Sequence, residues 1–366
     1  METAVEPYIP IARPQLGSEE EAAVLEVLRS GQLVQGRRVA AFETAFAGET
    51  GATFAIATSS GSTALFLALK AHGIGPGDEV VTSPLTFIAT ANAIVQAGAR
   101  PVFADVDATL DLDPSRVEAL ITPRTRAILT VHLHGNPCDL RALTALARQH
   151  RLILIQDACQ AVGAEVAGTP LGGFSTAVYS LYATKNITTG EGGMITTDDP
   201  GVQAVCASLR HQAYAPGGDY RHLEVAYNFR LTEMQAAIGL CQLERLAAIT
   251  QARRGNAAFY DEAIDAERFP RPKILAGHRH VYYQYVLRVP PHGRLDRGAV
   301  QTALDRNGIG TGVHYPVPVH LQPPYRELGA SCPEAERASS EILSIPVHPG
   351  VSERDRERVA ATFAAL

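Results

Sequence analysis

The chain has 366 residues, 46% of them hydrophobic and 19% charged, with a formal net charge of -6 and a mean hydropathy near zero. That length supplies more than one core, so a large and a smaller domain are expected in a globular protein. The mildly acidic balance contains no block of like charge and gives no basic face for nucleic acid, and no apolar run reaches the length of a membrane span.

Small-molecule chemistry fits these bounds better. The N-terminus, Met1-Glu-Thr-Ala-Val-Glu-Pro7, lacks the basic and apolar regions of a signal peptide, so a cytoplasmic location is expected. Five scattered cysteines (Cys138, Cys159, Cys206, Cys241 and Cys332) lack the short spacings of a zinc site and read as reduced thiols.

Residues 1–16 read as an extended arm containing proline, followed by an amphipathic helix over 17–29 with an acidic first turn. Ser30-Gly-Gln-Leu-Val-Gln-Gly36 reads as a loop, 39–46 as a helix and Phe54-Ala-Ile-Ala-Thr58 as a strand. The hydroxylic run Ser59-Ser-Gly-Ser-Thr63 then opens a helix whose Leu65, Ala68 and Leu69 share a face. A glycine turn at a helix N-terminus suits a phosphate, and an ordinary Ser/Thr cap uses the same residues.

After a turn at 72–78 comes the strand Glu79-Val-Val-Thr-Ser83, with Phe87 just past its C-terminal end, placed to stack on a flat ring or to fill the core. Helices at 88–97, 114–121 and 140–150 alternate with strands at 101–104, 127–131 and 152–156. Asp157 closes the last of these strands, where a carboxylate needs a cation or hydrogen-bond donors, and a helix cap or a protonated ring nitrogen would serve. His132 and His134 lie two apart with no third ligand at metal spacing, and border the same region.

The stretch Ser180-Leu-Tyr-Ala-Thr-Lys-Asn-Ile-Thr-Thr-Gly-Glu-Gly-Gly-Met194 reads as strand, lysine-bearing loop and strand. Alone, Lys185 is either a solvated surface lysine or an amine poised for a Schiff base. With the two flanking strands the pattern makes about seven mostly parallel strands, and hence a three-layer α/β/α large domain. A long helix from Leu231 continues past Arg254, and the domain boundary is placed near residue 245, giving domains 1–245 and 246–366. The second is an α+β domain with strands at 281–289 and 309–315 and helices at 296–307, 333–343 and 352–363.

A hydroxyl-rich helix start, an aromatic after the next strand, an acid at a strand end and a lysine in a glycine-rich loop together supply what pyridoxal 5'-phosphate (PLP) requires. The chain resembles the DegT/StrS sugar aminotransferases, PLP enzymes of fold type I. The matching segments include Ser30 to Gly36, Gly73-Ile-Gly-Pro-Gly-Asp-Glu-Val80, Ile121-Thr-Pro-Arg-Thr-Arg-Ala-Ile128, Val131-His-Leu-His-Gly135, Asp157-Ala-Cys-Gln160, the Lys185 loop and Gly312-Val-His-Tyr-Pro316.

The resemblance implies that Lys185 forms the Schiff base and then shuttles the proton, that Asp157 keeps the ring nitrogen protonated, that Gln160 bonds the ring hydroxyl and that Phe87 stacks on the ring. It implies phosphate contacts from Ser62, Thr63 and Ser180, and from Asn228 of a second subunit, hence a homodimer with shared active sites. His314, Tyr315 and His320 fall where the family lines its substrate side. Ser62 stands where threonine is frequent and Cys159 where alanine is; both are small.

The implied reaction takes an amine from L-glutamate, releases 2-oxoglutarate and aminates a nucleotide-linked keto sugar. Thr184-Lys-Asn-Ile-Thr-Thr-Gly-Glu-Gly-Gly193 is most similar to members acting at C4 of 4-keto-6-deoxy sugars. The rivals are a 3-keto sugar or cyclitol (inosose-type) aminotransferase and a PLP-fold protein that only binds or regulates; the dehydratase branch carries histidine at the lysine position.

Overall fold

A computed structural model describes residues 7–217, 220–291 and 295–366. In chain order the first half comprises α1 (Ser18–Ser30), α2 (Arg37–Thr50), β1 (Phe54–Thr58), α3 (Gly61–Ala71), β2 (Glu79–Thr82), α4 (Ala89–Gln96), β3 (Arg100–Phe103), α5 (Pro114–Glu118), β4 (Thr125–Val131), α6 (Leu140–His150) and β5 (Ile153–Asp157). There follow β6 (Glu165–Val166), β7 (Thr169–Pro170), β8 (Thr176–Ser180), β9 (Gly193–Thr197), α7 (Pro200–Leu209), α8 (Glu233–Glu244) and α9 (Leu246–Ala263). The chain ends with β10 (His278–Arg279), β11 (Tyr285–Arg288), α10 (Arg297–Arg306), α11 (Pro333–Glu341), β12 (Ile342–Ile345) and α12 (Glu353–Ala364).

The main sheet has seven strands in the order β1-β9-β8-β5-β4-β2-β3. Only β9 opposes the others, because the Lys185 loop returns from β8 without the helical crossover that a parallel neighbour needs. Alternation along each strand feeds two cores. Ala57, Val81, Ile128, Ala177 and Tyr179 face one, with Phe42 and Phe46 of α2 and Leu143 of α6. Ile56, Val80, Leu129, Val178 and Ile195 face the other, with Leu65 and Leu69 of α3 and Ile94 of α4. Helices thus cover both faces, as the alternating pattern predicts.

Local chemistry sets the helix ends that matter for the site. Ser60 Oγ accepts the Thr63 N–H at 3.2 Å while Thr63 Oγ1 accepts the Ser60 N–H at 3.1 Å, so α3 starts with a reciprocal cap. The N-cap of α2 is Gly36, which has no side chain to offer, and Glu233 of α8 serves instead. Its buried carboxylate accepts the N–H groups of Gly36 and Val39, each at 2.9 Å, and of Arg38 at 3.0 Å. Glu233→Ala strands these donors and is expected to lower unfolding free energy by about 3 kcal/mol in urea titration, with Glu233→Gln losing less.

The C-terminal elements depart from the sequence reading in three places. Of the strand expected over 281–289 only Tyr285–Arg288 forms, because the Val281 and Gln284 N–H groups bond the Gly135 and His134 carbonyls (3.0 and 3.2 Å) and Tyr282 takes a positive φ of 47°. Residues 309–315 make isolated bridges, Ile309 to Ile9 and Gly312 to Ser344, rather than a strand. The partner of β11 is β12, which occupies the end of the expected helix over 333–343. The long helix from α8 into α9 breaks once, at Arg245.

Candidate active site

A cavity of about 590 Å³ opens where α3 begins and where β4, β5 and β8 end. Ser60, Gly61 and Ser62 form one end of it with Ser180. A Cβ at Gly61 would stand 2.9 Å from the Ser180 Cβ and 3.0 Å from the Cys159 Sγ, so only glycine lets α3 approach β8 this closely. Thr63 does not line the cavity. Its hydroxyl is spent on the Ser60 cap, so the exposed Ser62 and neighbouring Ser60, rather than a Ser62–Thr63 pair, present hydroxyls at the dipole end of the helix.

Asp157 is buried at the end of β5. Its Oδ1 accepts the Cys159 N–H at 3.1 Å and its Oδ2 the Thr90 hydroxyl at 2.7 Å. The turn reading and the functional reading therefore share one side chain. Beneath it, burial and the Asp157 charge push the Cys159 thiol up, so it stays neutral. Gln160 also lines the cavity. Its Oε1 accepts the His134 N–H at 2.7 Å and its Nε2 donates to the Tyr315 hydroxyl at 3.3 Å, which fixes the amide's orientation.

Lys185 and Thr184 bound the cavity opposite, half-buried rather than in bulk solvent. The Nζ lies 4.4 Å from the centroid of the Tyr283 ring, whose hydroxyl is 3.0 Å from Thr184 Oγ1. Hydroxyls in the loop brace it from within: Thr188 Oγ1 donates to the Leu181 carbonyl at 3.1 Å and Thr189 Oγ1 to that of Glu191 at 2.6 Å. Gly193, the first residue of β9, is required by a close approach. It packs directly on the Ser60 carbonyl, joining the lysine loop to the start of α3.

Phe87 is 54% exposed and lines the cavity with Tyr315, their ring centroids 5.9 Å apart, so it is a wall residue and not core. His314 lines it too; burial and the Lys185 charge hold its imidazole below the usual value. His320 does not. It is buried against Phe103, with Nε2 3.1 Å from Glu336 Oε1, because the 3₁₀ turn Val319–Leu321 directs it into a core. Asn228 is exposed and lies outside the cavity of its own chain.

Neither histidine of the 131–135 segment borders the main cavity. Burial lowers His134 to about 3, and its Nε2 donates to the His314 carbonyl at 2.9 Å. His132, lowered to about 4 by burial, accepts the Cys138 N–H at Nδ1 and so donates from Nε2 to Gln156 Oε1 at 3.0 Å. Both are neutral braces of the loop that carries Gln160's partner.

Residues 14–364 match the DegT/DnrJ/EryC1/StrS aminotransferase family. The chain belongs to that family. Over 363 residues it is 41% identical to GDP-perosamine synthase of Caulobacter vibrioides, covering 98% of each protein. Over 359 residues it is 40% identical to a pleiotropic regulatory protein of Geobacillus stearothermophilus, covering 96% of this chain and 95% of the other. S. venezuelae DesV in complex with a ketimine intermediate has the same fold, with a TM-score of 0.93 at 35% identity over 98% of both chains. Aminotransferases of the DegT family depend on PLP. Among the described residues no helix is long and apolar enough to cross a membrane.

Tyr283, Thr86 and Thr90 are among the residues lining this cavity that sequence reasoning missed. Tyr283 lies in a run read as strand, and nothing in its alternation reveals the bend at Tyr282, which the Arg253 guanidinium pins by donating to the carbonyls of Tyr282 and Tyr283. Tyr283→Leu is expected to lower steady-state turnover roughly tenfold by removing the ring face beside Lys185 and the hydroxyl contact to Thr184. Tyr283→Phe keeps the face and is expected to lose only about threefold.

Proposed function

We propose that the protein catalyses PLP-dependent transamination, moving the amine of L-glutamate to a nucleotide-linked keto sugar of the 4-keto-6-deoxyhexose class. The observation that carries this reading is the convergence of Lys185, Asp157 and the hydroxyl-lined start of α3 on one cavity. The residues present fit the cofactor. The Gly61 approach leaves backbone N–H groups and the Ser60, Ser62 and Ser180 hydroxyls for a phosphate, and Asp157 offers an anion already held by two donors. Gln160 retains an amide proton for a ring hydroxyl, and Phe87 supplies a flat face.

When bound, PLP supplies an aldehyde for an amine and a ring that withdraws electrons from the carbon losing a proton. The chain's own residues do the rest. Lys185 Nζ takes and returns that proton, with the Tyr283 ring centroid 4.4 Å from it. Asp157 would hold the ring nitrogen protonated. His314 and Tyr315, which also line the cavity, orient the sugar.

The name of the Caulobacter relative, GDP-perosamine synthase, supports a nucleotide-linked sugar as acceptor. A homodimer is part of the proposal. Tyr220, Leu223 and Val225 are 80%, 67% and 88% exposed close to Asn228, an apolar surface suited to cover by a second copy that would carry Asn228 to the phosphate end. The regulatory name of the Geobacillus relative favours binding without chemistry as a second reading; an intact set of Lys185, Asp157 and Gln160 weighs against it.

The deciding experiment measures 2-oxoglutarate released from L-glutamate with a panel of ketones. Release with a nucleotide-linked 4-keto-6-deoxyhexose is expected. Release only with a 3-keto sugar or an inosose would move the substrate class, and none with any ketone would favour the binding-only reading.

A further inference from the structure

We infer that Thr90, backed by Thr86, is the positioning residue for Asp157, an inference that rests on the PLP reading above. Thr90 lies in the first turn of α4 and is fully buried, Thr86 is 3% exposed and Asp157 6%. The two threonine hydroxyl oxygens are 2.8 Å apart and Thr90 Oγ1 is 2.7 Å from Asp157 Oδ2.

A hydroxyl has one proton, and this geometry assigns it. Thr90 Oγ1 also lies 3.1 Å from the Phe87 carbonyl, but that carbonyl already accepts the Thr90 N–H at 3.2 Å, whereas the carboxylate is the closer and charged acceptor. The Thr90 proton therefore goes to Asp157. Thr86, whose hydroxyl has Thr90 as its partner, donates to it, giving a chain Thr86 to Thr90 to Asp157 in which each donation strengthens the next. The Cys159 N–H holds Oδ1 at 3.1 Å from the other side. Two donors from two elements thus fix the plane of the carboxylate and leave its remaining lone pairs toward the cavity. Without the Thr90 hydroxyl, Oδ2 would keep its burial and lose its donor, and the side chain would turn to find another.

The test uses apo-protein titrated with PLP by fluorescence quenching, alongside steady-state kinetics of the loaded enzyme. Thr90→Val is isosteric and removes only the donor; it is expected to raise the Kd for PLP and lower kcat by roughly tenfold each, with KM for the amino donor unchanged. Thr90→Ser should restore both, and Thr86→Val should show the same pattern at about threefold. The decisive comparison is with Asp157→Ala: if Thr90 acts through Asp157, adding Thr90→Val to Asp157→Ala changes Kd by less than about twofold. A Thr90→Val protein with wild-type Kd and kcat, or a full tenfold loss still present in the Asp157→Ala background, overturns the inference while leaving the PLP reading standing. Should Thr90→Val not fold, Thr86→Val with wild-type values overturns it. A wild-type protein that binds no PLP overturns both.

Discussion

Lys185→Ala is expected to lower the rate of transamination by roughly 10⁴-fold, the upper range for loss of a positioned acid–base group. Within the cavity no neighbour replaces it well. Burial, with Tyr283 and Asp157 nearby, pushes the Tyr315 hydroxyl far up, so it holds its proton at neutral pH. His314 has Nδ1 3.2 Å from Ser344 Oγ, which ties the ring to β12. The loop itself should survive, because its braces are the hydroxyls of Thr188 and Thr189 and the Asn186 amide on the Val281 carbonyl, none of which involves the lysine side chain. A thermal midpoint near that of wild type, with single-turnover rates reduced as stated, checks this, and added methylamine should recover part of the rate.

Asp157→Asn is expected to lower kcat by roughly 10²- to 10³-fold while leaving cofactor bound. The reason is visible in the two donors. Cys159 N–H and Thr90 O–H both need an acceptor, and a carboxylate satisfies both. An amide has one oxygen, so its NH₂ must face either the Cys159 N–H, which is a clash of donors, or the Thr90 oxygen, which then has to turn its proton to Phe87. The second arrangement is tolerable, so the fold is expected to hold, with the loss falling on the charge that, in the proposed function, would keep the ring nitrogen protonated. Absorbance of bound cofactor with kcat measured on the same sample separates the two effects.

Much of this site could be read in the sequence because its parts sit on local signals. Phe54–Thr58 and Leu140–His150 form as read, the first a short apolar strand and the second a periodic helix capped by Asp139 on the Ala142 N–H at 3.0 Å. Asp157 ends its strand and Lys185 lies in the loop that follows β8 for the same reason: an apolar run stops where polar chemistry begins.

What escaped depends on contacts between distant segments. The Tyr283 bend is made by the carbonyls of His134 and Gly135 and by Arg253, none near it in sequence. The first two residues of β12, Ile342 and Leu343, read as the end of a helix until β11 is beside them. Thr63 and Ser62 are indistinguishable by composition, and only the cap decides which hydroxyl is free. The resemblance puts His320 on the substrate side, whereas the 3₁₀ turn that carries it, Val319–Leu321, buries it against Phe103.

The most direct measurement is borohydride reduction of the purified, PLP-loaded protein followed by peptide mass spectrometry. The expected result is a pyridoxyl mass on the peptide carrying Lys185 and on no other lysine. A protein that takes up no label, or that carries it elsewhere with Lys185 unmodified, would contradict the assignment of this cavity.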